Sequence, residues 1–453
     1  MLSAATALAG PASTDAVKAS TAPVTISLPE AITFALTRAT EVLKAKNQDE
    51  FSGSALLQAY FQFLPSLDAA AGYSWTWGRN YLTQGSPATV DTVNHGENYQ
   101  LTAGFNVFSG GQDVGNLGAS RSRAKAAHLS LYRAKQQIVL DVTQAYLQVL
   151  LDRKIALIGQ KNLEASRERE KLLQEQSDVG LKSLTDLYRQ QAQTSADALF
   201  SISAENRARN SLIALLRRLR LDLMTAYDIS DVAFDVETSS NPYRDERALM
   251  ELALRQRPDL QTAEFLANAG RWDVTAARGA YYPRLDLFAT VSATSRILDR
   301  QSVDGVDVVP AVQRSLSEQL HDQRATTAGV VASWGLFDRF ATRLNVARAH
   351  EASKNADIDF EDRRLQVEAE VQQAVGDYQA SLLQVAAAAQ GLKAANASYD
   401  AVQERYRVGA SSIVDLLTAQ AALVQAQASD AQAHIVFMVE QKTMKTVLGE
   451  STY

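Results

Sequence analysis

Apolar and polar positions along this chain follow two periods, and the switch between them divides it into elements. Over most of the length apolar residues recur every three to four positions, the spacing that lines one face of an α-helix. Two stretches keep this pattern without a proline: the nine prolines stand at 11, 23, 29, 65, 87, 242, 258, 283 and 310. Proline inside a helix costs about 3 kcal/mol, and both stretches are rich in Ala, Gln, Leu, Glu, Arg and Lys, which favour helix. The pattern predicts a helix over 112–178, a break at Val179-Gly180 and a second helix over 183–224. It predicts the same again over 341–407, a break at Val408-Gly409, and a helix over 412–448. Ile138, Val142, Ala145, Leu147 and Val149, continued by Leu157, Ile158 and Leu163, make a narrow apolar stripe. Leu365, Val367, Val371, Val375 and Leu382 make its counterpart. At about 1.5 Å per residue each long helix reaches roughly 100 Å, more than a globular core needs. A narrow stripe flanked by Ala and Gln suits a coiled coil or the wall of a tube. Val-Gly-x-x-Ser at each break reads as an αα-hairpin, with Gly180 and Gly409 left-handed and a serine N-cap after each. Shorter helices are expected over 28–62, with Pro29 in the first turn, and over 247–281.

Ahead of each long helix the period drops to two. Leu67, Ala69, Ala71, Tyr73, Trp75 and Trp77 alternate with small or polar residues, and so do Tyr99, Leu101, Ala103, Phe105 and Val107. The later copy has Leu285, Leu287, Ala289 and Val291, then Ala328, Val330, Ala332, Trp334 and Leu336. Four strands are therefore expected, over about 65–77, 98–109, 284–295 and 326–337, each with one apolar and one polar face. Polar loops over 78–97 and 296–324 join each pair. Trp75, Trp77, Tyr99, Phe108, Tyr281, Tyr282, Trp334 and Phe337 gather near strand ends, as interfacial girdles do. A pair of hairpins on a soluble sandwich is the alternative.

The halves are copies of one another. Phe63-Leu64-Pro65-Ser66-Leu67-Asp68 returns as Tyr281-Tyr282-Pro283-Arg284-Leu285-Asp286. The Val179–Leu187 segment returns at Val408–Leu416, a wider separation, so the second copy carries an insertion between Pro283 and Trp334. Repeats then cover 26–240 and 241–453, each reading helix, strand, strand, very long helix, hairpin, helix. Residues 1–25 form an N-terminal tail. It reads either as a disordered Ala/Ser/Thr/Pro segment or as a signal remnant, with Ala7-Leu8-Ala9 as the small-x-small end.

Composition narrows the classes. Of 453 residues 46% are hydrophobic and 21% charged, an ordered protein, with a net charge of −6 that offers no basic footprint for nucleic acid. With no cysteine, disulfides and thiol chemistry are excluded. The five histidines show no metal spacing, and no phosphate loop or catalytic constellation stands out, so neither an enzyme, a metal site nor a cofactor is expected. No apolar run approaches the roughly 18 residues of a membrane helix, so a membrane crossing would have to use strands.

Several segments carry a resemblance across nearly the whole chain. They are Leu28-Pro29-Glu30-Ala31-Ile32 with Ala35-Leu36, Leu64-Pro65-Ser66-Leu67, Phe108-Ser109-Gly110-Gly111, and Tyr406-Arg407-Val408-Gly409 followed by Ile413-Val414-Asp415-Leu416-Leu417. In this order, twice over, the chain resembles the TolC-like outer-membrane efflux family. The resemblance implies a mainly α fold with a β-barrel part: a homotrimer whose four strands per chain make a twelve-stranded transmembrane barrel, with the helices forming a periplasmic tunnel. It implies an outer-membrane location reaching into the periplasm, with outer-membrane lipid around the strands. It also implies a passive exit duct for efflux or type I secretion, working with a periplasmic adaptor and an inner-membrane pump or ABC transporter. The rival reading is a soluble coiled-coil scaffold assembled through its β-hairpins. By the same resemblance Asp415 matches an acidic ring residue of the periplasmic gate, and Thr418 stands where some members carry a second aspartate. Tyr406 is implied to meet Asp186, beside Thr185, and Ser411 stands where some members carry an arginine. Read from the residues alone, Asp186 and Asp415 are equally carboxylates at helix N-termini, each worth about 0.3–1 kcal/mol.

If the strands cross a bilayer, Leu101, Ala103, Phe105, Val330, Ala332 and Trp334 face lipid. Lysine at mid-barrel on that face should cost about 2–4 kcal/mol and impair membrane assembly. Lysine at Thr102 or Ser333 should be tolerated. Heat-stable oligomer recovered from outer membranes measures both sets, and equal damage would show that the strands do not face lipid.

Overall fold

The structure, a computed structural model, describes residues 24–81, 88–232, 242–308 and 313–450. In chain order it has β1 (Val24–Ile26), α1 (Leu28–Arg38), α2 (Thr40–Phe61), β2 (Ser66–Tyr81), β3 (Thr89–Phe108), α3 (Gln112–Asp178), α4 (Leu184–Arg218) and β4 (Tyr227–Ile229). The second copy has α5 (Glu246–Gln256), α6 (Pro258–Arg278), β5 (Arg284–Val303), β6 (Val306–Val308), α7 (Leu316–Asp322), β7 (Arg324–Ser333), α8 (Ala341–Arg407) and α9 (Ile413–Val447). Two compact units result. One takes the residues up to Leu43, Ala134–Met250 and Glu370 onward; the other takes Lys44–Arg133 and Glu251–Ala369. Each unit draws on both sequence repeats.

The duplication holds to the residue. α3 and α8 both have 67 residues, and α4 and α9 both have 35. In the first unit Ile138, Val142, Tyr146 and Val149 are buried along α3. Their counterparts in the other repeat, Val367, Val371, Val375 and Tyr378, are buried along α8. The steps of four, four and three keep one stripe on the packed side. The stripe is narrower than the sequence suggested: Leu157 and Leu365 are exposed. Tyr146 donates from its hydroxyl to the Ile26 carbonyl at 3.0 Å and the Ser230 carbonyl at 2.7 Å, tying α3 to the parallel β1–β4 pair. That pair was not expected, and Val24–Ile26 partly overlaps the segment read as tail; residues 1–23 lie outside the described residues.

Two long-helix expectations hold at both ends, Gln112–Asp178 and Ala341–Arg407. The shorter helices divide. α1 and α2 part at Ala39, and α5 and α6 part at Arg257, the matching position of the second copy by the Pro65-to-Pro283 alignment. At Arg257 the cause is Pro258, which pushes the residue before it to extended backbone; Ala39 adopts the same conformation without a proline, and we have no physical account of it.

In the second unit a sheet runs β2-β3-β5-β7, all neighbours antiparallel, with short β6 also on β5. The strands extend well past the expected 65–77, 98–109 and 284–295 into segments read as loop, because the polar residues there continue the ladder. Tyr81 still pairs with Thr89, and Val303 with Val90. The region read as a polar loop after 296 contains β6 and α7, the latter opened by a Ser315–Glu318 capping box. β7 ends at Ser333, so Trp334–Phe337 lie beyond the strand; Trp334 Nε1 donates to the Tyr281 carbonyl at 3.1 Å. Cross-strand partners in an antiparallel ladder share a face. Leu101 opposes Ala69 and Val291, Phe105 opposes Leu287, and Leu287 opposes Val330, so the alternating apolar residues of all four strands lie on one side, with Phe288 and Val331 on the other. From Leu67 to Trp77 this side spans about ten residues, roughly 33 Å along the strand. Tilted by about 40°, that matches the roughly 25 Å apolar band of an outer-membrane barrel. β2 and β7 are the two ends of the order, and among the described residues each has one edge unpaired.

The copies diverge at the turn from strand to long helix. Gly110 and Gly111 have φ of 65° and 89°; their counterparts in the second copy, Arg339 and Phe340, have φ of 58° and 65°. A Cβ on Gly110 would run into the Gly279 carbonyl oxygen, and one on Gly279 would come within 2.9 Å of the Gln112 backbone nitrogen. At Gly110 the first turn is therefore pressed against the end of α6 and admits only glycine. The second has room for side chains and tolerates the left-handed backbone, at about 1–2 kcal/mol per residue.

At the α5–α6 break, Asp259 gathers three guanidinium groups. Arg257, fully buried, donates through Nε at 3.1 Å and Nη2 at 2.6 Å; Arg133 Nε lies 3.3 Å away, and Arg363 also donates. Burial by itself would raise the Asp259 pKa. The Arg257 hydrogen bonds, the Arg133 and Arg257 charges and the Arg363 hydrogen bond outweigh it and hold the carboxyl well below the usual range. Because the folded pKa is depressed, this carboxylate stabilises the fold above its unfolded pKa of about 3.9 and loses that contribution only as pH falls below it. Asp259→Ala leaves a buried cation without its carboxylate and should cost about 3–5 kcal/mol. The measurement is thermal unfolding in detergent from pH 5 to 8, where the deficit should be constant.

Candidate functional site

The two helical hairpins of the first unit carry every residue singled out for a gate, and each is built by the same local chemistry. At the first turn Gly180 N–H bonds the Ser177 carbonyl at 3.0 Å and Leu181 N–H bonds the Gln176 carbonyl at 2.8 Å. At the second, Gly409 N–H bonds the Tyr406 carbonyl at 3.1 Å and Ala410 N–H bonds the Arg405 carbonyl at 2.7 Å. Both are Schellman caps, which need a left-handed residue at the glycine position; Gly180 and Gly409 both have φ of 77°.

The following helices start differently. Ser412 closes a capping box: its Oγ accepts from Asp415 N–H at 3.2 Å, while Asp415 Oδ2 accepts from Ser412 N–H at 3.0 Å, Ser412 Oγ at 2.8 Å and Ser411 Oγ at 2.9 Å. These bonds, from Ser412 first and then Ser411, hold the Asp415 carboxyl below its ordinary range. The Asp415 side chain remains exposed. Thr418 is also exposed, its hydroxyl donating to the Val414 carbonyl at 2.8 Å. In the first hairpin Ser183 Oγ accepts instead from Thr185 N–H at 3.1 Å, and Asp186 is half-buried.

Leu173 of α3, Leu187 of α4 and Ile413 and Leu416 of α9 form a buried cluster, with Tyr399, Val402 and Tyr406 of α8 and Leu417 packed on it. All four helices of the two hairpins therefore share one small core. Burial raises the Tyr406 pKa, the nearby Asp186 charge raises it further, and Arg169 opposes both. Tyr406 and Asp186 are thus brought close, but no hydrogen bond joins them: the Tyr406 hydroxyl is buried with no partner among the described residues. The contact on Tyr406 is Lys182, whose ammonium sits 4.7 Å from the ring centroid.

Further along the hairpins lies a buried polar layer. Arg169 donates to Gln420 Oε1, and to the Tyr399 hydroxyl at 3.1 Å. Ser166 donates to Asp197, and Gln190 Nε2 donates to the Ser166 carbonyl at 3.2 Å. Gln190, Ser166, Asp197 and Gln420 are all buried. Sequence reasoning missed Lys182 and this layer. Polar residues on a long helix read as solvated, and the only signal for Lys182 was its place in the turn, at the position that Ser411 takes in the other copy. Among the described residues no group of His, Cys, Asp and Glu could hold a metal ion.

The model of the outer membrane efflux protein family matches residues 32–219 and 249–450, one segment in each repeat. The chain is 23% identical to the outer membrane protein TolC of Escherichia coli over 90% of its own length and 79% of that protein's. It is 24% identical to the outer membrane efflux protein BepC of Brucella suis, over 76% of this chain and 70% of that one. The CmeC outer membrane channel of Campylobacter jejuni superposes with a TM-score of 0.79 at 18% identity, over 93% of this chain and 85% of that one. With four strands, two helical hairpins and both repeats matched, this chain belongs to the outer membrane efflux protein family.

Proposed function

We propose that three copies of this chain close a single twelve-stranded barrel in the outer membrane, and that their helical hairpins line a passive exit duct for efflux or type I secretion. The observation that carries the reading is the sheet. It has four long strands, an apolar face and unpaired edges at β2 and β7. Lipid offers no partner to an open edge, and about eight strands is the smallest barrel that closes. Two, three or four copies would supply eight, twelve or sixteen strands; the family resemblance favours three. No helix among the described residues is long and apolar enough to cross a membrane, so the strands carry the crossing. A duct without an energy source needs an inner-membrane pump or ABC transporter, and a periplasmic adaptor to join them.

The gate belongs to the same proposal. Three Asp415 carboxylates brought to one axis, with Thr418 one helical turn on, make a negative constriction that favours cations. Serine hydrogen bonds keep each carboxylate ionised against the repulsion of the other two. Asp186, with Thr185 beside it, and Tyr406 meet where the two hairpins pack together, and Ser411 acts on Asp415 rather than across the gate.

Light-scattering mass in detergent should give a trimer of the 49.3 kDa chain, and the same material should conduct in a planar bilayer. A protein that stays monodisperse and monomeric without detergent would overturn the reading. Asp415→Asn keeps an acceptor for the Ser412 cap and removes the charge. It should lower cation preference and block by multivalent cations while leaving the melting temperature nearly unchanged. Unaltered selectivity would place the acidic ring elsewhere.

A further inference from the structure

We propose that Lys182 is the cationic half of a latch whose other half is the Tyr406 ring, and that this pair, not the Tyr406 hydroxyl, ties the two hairpins of one protomer together at rest. The inference rests on the gate reading above. Its first support is geometry. Lys182 follows Gly180 by two residues, in a turn fixed by the Gly180 and Leu181 hydrogen bonds. Its ammonium lies 4.7 Å from the Tyr406 ring centroid, inside the roughly 6 Å over which a cation is attracted to an aromatic face. Tyr406 is in the last turn of α8, so the contact joins the tip of one hairpin to the tip of the other. Among the described residues no carboxylate forms an ion pair with Lys182.

The second support is the hydroxyl. A latch through Tyr406 Oη would need an acceptor, and the atom is buried without one among the described residues. The ring, packed on the Leu173, Leu187, Ile413 and Leu416 core, is the part of Tyr406 that does the holding.

The third is the repeat. Lys182 and Ser411 are the same position in the two copies, and so are Ser177 and Tyr406. Ser411 is committed to the Asp415 carboxylate at 2.9 Å and offers no cation. The charge stands at the symmetry-related place in the other hairpin, facing the aromatic that only the second copy has. Each copy supplies one half of the pair, which makes the latch an intramolecular one.

Single and double variants of the full-length trimer in planar bilayers separate the possibilities. Lys182→Met keeps the stem and removes the charge; Tyr406→Leu removes the ring. Each should raise the open fraction about two- to fivefold, the range of one such contact, and the double variant should add nothing to either. Lys182→Arg and Tyr406→Phe keep cation and ring and should behave as wild type. A Tyr406→Phe channel as open as Tyr406→Leu, or a Lys182→Met channel with wild-type opening, would overturn the latch. Leu416→Ala, which loosens the shared core, tests the gate itself, with the half-buried Val402→Ala in its place if that variant does not assemble. Opening in the core variant without opening in Lys182→Met ends the latch and leaves the gate; opening in neither ends both.

Discussion

A sheet edge surrounded by lipid has no water to satisfy its peptide groups, and the rest of this molecule follows from that constraint. Four strands with an apolar face leave one open edge on β2 and another on β7. The strands can be long, as many as 20 residues each in β3 and β5, only if every backbone group finds a partner. Within the chain three ladders do this for the facing edges, and the outer edges of β2 and β7 have no partner among the described residues. Membership of the outer membrane efflux protein family and the physics of the edge therefore point the same way.

Duplication lets one solution serve twice, and the points where the copies differ carry the specialised work. The buried stripe is shared position by position, with the single aromatic moved along it, Tyr146 in α3 and Tyr378 in α8. The hairpin turns share their glycine caps and φ angles. The helix starts after them do not: one closes a capping box around Asp415 and the other leaves Asp186 out of any box. At the tips a structural residue in one repeat faces a polar or charged one in the other, so the two hairpins fit together as unlike partners built on one backbone.

How much of this could be read from the sequence depended on whether a local signal exists. The long helices were legible to their last residues because proline is absent within them and glycine stands just after. Pro258 is a mark for one helix break, although a single helix was expected over 247–281; Ala39 carries no mark at all, and only the repeat offset points to it. The strands were cut short because alternation stops being apolar beyond Trp77 and ahead of Tyr99, although pairing continues through Arg79–Asp91 and Asn80–Val90. Three-residue β1 and β4 are too short to show a period. At the candidate site both glycines could be found by aligning the halves, which also sets Asp415 against Asp186; Tyr406, whose counterpart is Ser177, came only from the family resemblance. The buried polar layer could not, because Ser166, Gln190 and Asp197 look like solvent-facing residues until four helices close around them.

The Gly110 turn has a consequence for how the two halves can drift apart. Gly110 and Gly279 each exclude a side chain because of the backbone packed against them at this corner, so neither position can change alone without moving a helix end or a strand end. A mutational path through that corner must pass through a broken intermediate. At Arg339 and Phe340 the same backbone bend is already occupied by large side chains, and neighbouring substitutions meet no such barrier. The strand-to-helix corner of the first repeat is thus pinned, by its own Gly110 and by Gly279 of the second repeat, while the matching corner at Arg339 and Phe340 is free to explore, an asymmetry that a duplicated protein can use to acquire new surface without risking its frame.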